Sequence, residues 1–325
     1  MSISRRKFLE TTAAGALAAG SLSAAAKGGS EMPTRTLGKT GVHVSILAFG
    51  CGSRYLKYDD EQAVQAVHKA MDMGITYFDS ADDYGKDHRS ETLVGKAIKG
   101  RRDGLFLATK LSNRNPEKSF SIVEASLKAF DIERLDLLHI HALLGDDDLA
   151  KLEEKGGVID QVLKMRDQKL TRFIGITSHM DPTTLKSALE RHDFDCTQMA
   201  LNGALVGMKN GKGGMVPNEE IKTSFETLAL PVANRKKMGV IAMKVMAQDA
   251  LIGPADPGKL MSYSLSLPVS AVVIGMPKLE HIEENARMAK AFQPMPVPER
   301  KKMSGELSTK YKAQLDQFFS DHVDA

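Results

Sequence analysis

Four residues with proton-transfer chemistry stand at the ends of strand-like runs. Asp79 and Tyr84 lie in "YFDSADDYGKDHRS", Lys110 in "LFLATKL" and His141 in "LDLLHIHAL". A tyrosine, with its pKa near 10, is a poor acid at neutral pH unless tuned. A lysine ammonium beside it stabilises the phenolate and lowers that pKa. An aspartate paired with the lysine holds it in place, and a histidine can donate a hydrogen bond to a substrate oxygen and orient it. None of these groups supplies a hydride, so reduction of a carbonyl needs a cofactor. Each residue alone has a plainer explanation: Asp79 as a cap, Tyr84 as a turn residue, Lys110 as a solvated strand end, His139 and His141 as interior histidines. Their common position decides the matter.

That position depends on the elements around them. The runs "VSILAFG", "ITYFDSA", "LFLATKL", "LDLLHIHAL", "FIGITSH", "CTQMALN", "GVIAMKVM" and "AVVIGM" are short, β-branched and nearly continuous in hydrophobicity. Amphipathic helical patterns such as "DEQAVQAVHKAMDMG", "SFSIVEASLKAFD" and "DPTTLKSALERHD" lie between them, and Gly74 and Gly239 are expected to stop helices. About eight such units point to an α/β fold, a (β/α)8 TIM barrel. A doubly wound open sheet would carry GxGxxG after its first strand, and "AFGCGSRYL" matches only partly. In a barrel the site forms at the C-terminal strand ends. Those ends bring Asp79, Lys110, His141, Ser178, His179, Gln198, Asn202 and Lys244 to one rim, with Tyr84 just beyond. Outside the repeat, "TRTLGKTGVHV" reads as an N-terminal hairpin. Residues 203–219 read as a Gly-rich loop or lid, with Tyr55 beside it as a pocket wall. Residues 292–325 read as a helical tail packed across the barrel. Ser90 is expected to cap a helix, with Glu91 in its first turn.

The 325 residues carry 42% hydrophobic and 26% charged side chains and a net charge of +3. No basic run is dense enough for a nucleic-acid surface. Cys51 and Cys196 are too few and too far apart for an iron–sulfur or zinc site, so no metal is expected and two buried thiols are. The N-terminus has its own grammar. Paired arginines in "SRRKFLE", then the Ala/Gly/Ser run "TTAAGALAAGSLSAAA", read as a twin-arginine export signal over residues 1–26. The expected mature protein starts near Lys27, spans 27–325, works in the periplasm or another extracytoplasmic space, and keeps no membrane anchor. Its partners are then the twin-arginine machinery and a small carbonyl or alcohol substrate.

From about Thr34 to Ala291 the chain resembles the aldo-keto reductases. "GITYFDSADDYG", "FLATK" and "LDLLHIH" are similar to the family segments that carry its catalytic residues. The resemblance implies catalytic roles for Asp79, Tyr84, Lys110 and His141, with NADP as cofactor and NAD as the other option. It implies that Ser178, His179 (in place of an asparagine) and Gln198 hold the nicotinamide carboxamide. Met243 stands where the family often stacks a tyrosine, followed by Lys244 and Val245. The first strand end adds Gly50, Cys51 and Gly52. "VVIGMPKLEHIEEN" resembles the adenosine-phosphate segment. Gly275 and His281 stand there in place of the gripping lysine and arginine, Asn285 is intact, and Lys278 is a substitute grip. The implied function is reversible hydride transfer between nicotinamide C4 and a carbonyl or alcohol. The alternative is a nicotinamide-binding sensor or partner protein with little turnover. A Schiff-base lyase on Lys110 leaves Tyr84 and Gln198 without a role. No residue pattern names the substrate; sugars and small carbonyl compounds fit loosely.

Overall fold

The computed structural model describes residues 31–211, 214–218 and 223–320. The export signal expected over residues 1–26 lies outside them. Eight strands close into a parallel barrel: β3 (Leu47–Gly50), β4 (Tyr77–Asp79), β5 (Phe106–Leu111), β6 (Leu135–Ile140), β7 (Thr171–Ser178), β8 (Cys196–Ala200), β11 (Gly239–Met243) and β12 (Ala271–Gly275). Their order is β11-β12-β3-β4-β5-β6-β7-β8. Strand alternation divides the core in two. Tyr77, Phe106, Ala108, Leu137 and Ile241 fill the inside, while Phe78, Leu107, Leu138 and Ile174 face the helices.

The hairpin β1 (Thr34–Thr36) and β2 (His43–Ser45) forms as expected. Its loop packs under the barrel, where Leu37 and Val44 join the inner core. A Cβ on Gly38 would sit 2.2 Å from the Gly239 nitrogen, and Gly38 has φ +50°, so only glycine fits. Helix α1 (Asp60–Asp72) shows why the repeat folds locally. The Asp59 carboxylate accepts from the Gln62 N–H, Ala63, Ala66, Val67 and Ala70 are buried along one stripe, and Gly74 ends the helix at φ +90°. Helices α2 (Arg89–Ile98), α3 (Ser119–Phe130), α4 (Asp146–Leu152), α5 (Val158–Asp167), α6 (Pro182–Arg191), α7 (Ala229–Arg235), α8 (Pro257–Leu265) and α9 (Leu279–Lys290) follow, and α10 (Val297–Ser320) ends the described chain. The tail does pack on the barrel: Leu307 is buried, and a Cβ on Gly203 would meet it at 2.9 Å.

Four expectations change. Helix α7 ends at Arg235, well before Gly239; Lys237 takes the left-handed turn, and Gly239 starts β11, where Leu37 leaves no room for a side chain. Segment 203–219 is not a plain loop, because β9 (Gly207–Gly211) and β10 (Gly214–Asn218) pair antiparallel within it. Tyr55 is no pocket wall. It is fully buried against Phe49 and Tyr58, with its hydroxyl on the Ala63 carbonyl. Ser90 caps nothing. It lies inside α2, bonds to Ser80 and donates to the Cys51 carbonyl. Glu91 does lie in the first turn of α2, buried and accepting from the Thr109 hydroxyl. No described helix is long and apolar enough to cross a membrane.

Candidate active site

Each of the four candidate residues owes its place to a different strand end. Asp79 closes β4 and points inward, as Tyr77 does two residues before it. Lys110 sits on β5, and its ammonium reaches the Asp79 carboxylate at 2.7 Å and the Ser80 carbonyl at 2.6 Å. The Lys110 and Asp79 side chains are only 1% and 4% exposed, so this is a buried ion pair. Burial pulls the Lys110 pKa down, but the Asp79 and Tyr84 charges outweigh it and hold the ammonium above the ordinary lysine value. The turn after β4 returns Tyr84 over this pair, with Lys110 Nζ 4.8 Å from its ring centroid. Burial raises the Tyr84 phenol while Lys110 pulls it down, and burial wins. The lysine therefore limits the rise rather than producing a net fall. In this state Tyr84 is a neutral phenol, a donor ready to give its proton.

His141 follows β6. Its ring meets Tyr84 edge-on at 5.5 Å between centroids. The His141 Nδ1 lies 2.9 Å from the Ser112 hydroxyl and 3.3 Å from Asp83 Oδ1. Arg114 donates to the His141 carbonyl at 2.7 Å and is clamped by Asp148 through two bonds of 2.7 and 2.8 Å. The sequence reading passed over Asp83, Ser112 and Arg114. An acid directly before a candidate tyrosine was the available signal. Partial burial pushes Asp83 up, and the hydrogen bond and charge of His141 outweigh it and hold Asp83 below the usual carboxylate range.

The remaining candidates line the same rim or its edge. Gln198 on β8 donates to Asp79 at 3.2 Å and lies 3.7 Å from the Met243 sulfur. Its Oε1 is buried without a hydrogen-bond partner among the described residues. That orphaned acceptor fits the amide N–H of a nicotinamide carboxamide. Ser178 is buried, donates to the Leu143 carbonyl at 2.9 Å and accepts from the Met180 N–H at a long 3.4 Å, which leaves its oxygen one further lone pair. Burial, with Lys244 next in effect, drives the His179 pKa down to about 3, which leaves a neutral ring. Burial and then Lys110 lower Lys244 to about 8, and its backbone is left-handed at φ +56°. Val245 turns into the outer core. Cys51 is buried, with its thiol on the Phe49 carbonyl, so it offers the rim only backbone.

Gly50 and Gly275 face each other across β3 and β12. A Cβ on Gly50 would press on the Ile274–Gly275 backbone at 3.2 Å, and one on Gly275 would meet Arg54 at 2.9 Å. A Cβ on Gly52 would touch the Tyr84 ring at 3.2 Å. These glycines keep the strand ends open beside the catalytic rim. Arg54 pairs with Asp249 across the mouth. Lys278 stands at the N-cap position of α9 without a side-chain capping bond, and His281 and Asn285 follow on that helix. They form a separate group, past the end of β12. Cys51 and Cys196 are free, buried thiols.

A parallel eight-stranded barrel with this rim defines a class of nicotinamide-dependent oxidoreductases. Within that class, the model of the Aldo/keto reductase family matches residues 47–256, and the chain belongs to that family. It is thus an NAD(P)-dependent oxidoreductase acting at the carbonyl level. A relative named "Uncharacterized oxidoreductase YqkF", from Bacillus subtilis, is 25% identical over 303 residues, 80% of this chain and 92% of the relative. Two solved structures share the fold. The holo form of aldo-keto reductase AKR11C1 from Bacillus halodurans superposes with TM-score 0.66 and 23% identity, over 85% of this chain and 96% of that one. An aldo-keto reductase from Klebsiella pneumoniae in complex with NADPH superposes with TM-score 0.65 and 19% identity, over 85% and 95%.

Proposed function

We propose that this protein reduces a carbonyl, or oxidises the matching alcohol, with Tyr84 as the proton donor or acceptor. The contact that carries the reading is Lys110 Nζ, held by Asp79 and placed 4.8 Å from the Tyr84 ring centroid. When bound, a reduced nicotinamide supplies the hydride. Tyr84 gives its proton to the substrate oxygen, and Lys110 stabilises the phenolate left behind. Asp79 keeps the ammonium in place. The Gln198 Oε1 and the Ser178 oxygen would hold the carboxamide of a bound nicotinamide, and Met243 would cover its ring by dispersion. The cofactor is NADP, a choice supported by the Klebsiella neighbour's NADPH complex and by Lys278 at the start of α9. Tyr84→Phe should cut kcat by roughly 10²–10⁴ and leave cofactor affinity unchanged. Undiminished turnover in that variant would end the reading.

Residues 1–26 carry the protein out through the twin-arginine pathway, and it works outside the cytoplasm. Export of a folded chain allows the cofactor to travel with it. Fusing residues 1–26 to a reporter tests this: the reporter should appear in the periplasm, and Arg5→Lys with Arg6→Lys should abolish that. A reporter retained in the cytoplasm with both arginines present would refute it.

A further inference from the structure

The turn that leads from Tyr84 into α2 is held by a contact of its own. Asp87 and His88 both take left-handed backbone, at φ +52° and +57°, a conformation that surrounding contacts must hold in place. His88 Nδ1 lies 2.5 Å from Glu91 Oε2, and the Glu91 side chain is fully buried. The other Glu91 oxygen accepts from the hydroxyl of Thr109 on β5, the residue before Lys110. Tyr84 belongs to the same turn, because its carbonyl accepts from the Ser90 N–H at 3.1 Å. One chain of contacts, from His88 to Glu91 to Thr109, therefore ties the loop of Tyr84 to the strand of Lys110. Arg89 is committed elsewhere, to Asp60 and to the Tyr58 carbonyl. Among the described residues, His88 is thus the basic side chain that Glu91 meets. Taking its charge away leaves a carboxylate buried without a counter-charge.

We propose, building on the reading that Tyr84 moves the proton, that His88 and Glu91 form a protonation-dependent latch that positions Tyr84 over Lys110. Neither residue touches the reacting atoms; both are positioning residues. With an imidazolium facing Glu91 the latch is closed. When His88 loses its proton, the turn keeps its left-handed residues but loses the charge that holds them, and Tyr84 loosens over the ammonium. The hydrogen bond to Glu91 raises the His88 pKa above the ordinary histidine value; burial opposes it, and the charges of Glu91, Asp82 and Asp87 add to the rise. These acids come from α2, from the turn after β4 and from the His88 turn itself. Lys86 and Arg89 flank His88 in the chain. Helix α3 packs against the turn as well, and among the described residues no ion pair joins its Glu124 or Lys128 to His88. A raised histidine pKa places the stabilisation at low pH, full below the unfolded value and lost as pH rises through the folded one.

The test assays the full chain with NADPH and glyceraldehyde from about pH 6 to about pH 9. Parent kcat should fall by roughly tenfold as His88 loses its proton, with KM little changed. His88→Lys, which keeps a cation, should hold its rate across the range; lysine already accepts left-handed backbone at Lys169 and Lys237. His88→Asn suits that backbone without a charge, so it should start low and lack the step. Lys244, with its pKa of about 8, titrates in all three proteins, so ratios between them isolate His88. Two readouts by ¹H–¹⁵N correlation of the labelled protein need no turnover. The His88 ring, assigned by His88→Asn, should titrate above the ordinary histidine value and shift down in Glu91→Gln. Exchange of the Ser90 amide, corrected for its intrinsic pH dependence, should quicken as the parent His88 deprotonates and stay slow in His88→Lys. Equal pH profiles in the parent and His88→Lys, or a His88→Asn that melts earlier but keeps the parent profile, would overturn the inference. A His88 ring that titrates with Glu91 while Tyr84→Phe turns over like the parent would instead refute the functional reading.

Discussion

Replacing Lys110 with methionine isolates the energetics of the buried pair. In the parent, Asp79 Oδ2 accepts from Lys110 at 2.7 Å and from Gln198 at 3.2 Å, and Oδ1 has no partner among the described residues. At 2.7 Å and an effective dielectric of about 20, the attraction is about 6 kcal/mol. Desolvation of two nearly buried groups offsets much of it. Lys110→Met removes the attraction but leaves the carboxylate desolvated, with one long hydrogen bond. The expected loss is about 3–5 kcal/mol, a drop of roughly 6–20 °C in melting temperature. Adding Asp79→Asn removes the stranded charge, and the double variant should recover most of the stability because no uncompensated ion remains. Thermal melts followed by far-UV circular dichroism at pH 7, with urea melts beside them, measure this cycle. Turnover should be lost in both variants. A double variant no more stable than Lys110→Met would show that the cost lies in lost packing of the lysine stem, and the charge argument would fail.

The other expectations are simpler. Gly175→Ala should destabilise by about 1–3 kcal/mol in denaturant melts, because the new Cβ would sit 2.4 Å from the buried His139 Nδ1; a neutral effect would mean that the ring moves freely. Lys244 has a folded pKa of about 8, below its unfolded value, so between pH 8 and 10.5 the unfolded chain binds more protons. Its penalty, at most about 3 kcal/mol, is full below pH 8 and fades as pH rises through that window. Stability should climb there, and Lys244→Met should flatten the climb; an unchanged slope would contradict the burial of this ammonium. Together with Tyr84→Phe, these experiments separate proton transfer from fold stability.

Much of this protein was legible in its sequence because strand periodicity and helix caps are local. Eight apolar runs separated by amphipathic segments already implied the barrel, and barrel geometry placed Asp79, Lys110, His141 and Gln198 on one rim before any distance was known. The glycine at position 74 marked the end of α1 because only a left-handed residue fits there. Local rules failed where a residue's task comes from distant chain. Tyr55 looked like a pocket wall until Phe49 and Tyr58 closed around it. Ser90 had the composition of a cap, but its partners are Ser80, at the end of β4, and the Cys51 carbonyl, which follows β3, 39 residues earlier. Gly239 looked like a helix stop, and the space it leaves is set by Leu37 from the opposite end of the chain. Asp83 is the sharpest case. Its place directly before Tyr84 was the one local signal, and only the loop after β6 brings the imidazole it pairs with. Residue types and their period along the chain determined which groups reach the rim; hydrogen-bond partners were decided by the closing of the barrel, because such contacts form between strands that the sequence holds apart.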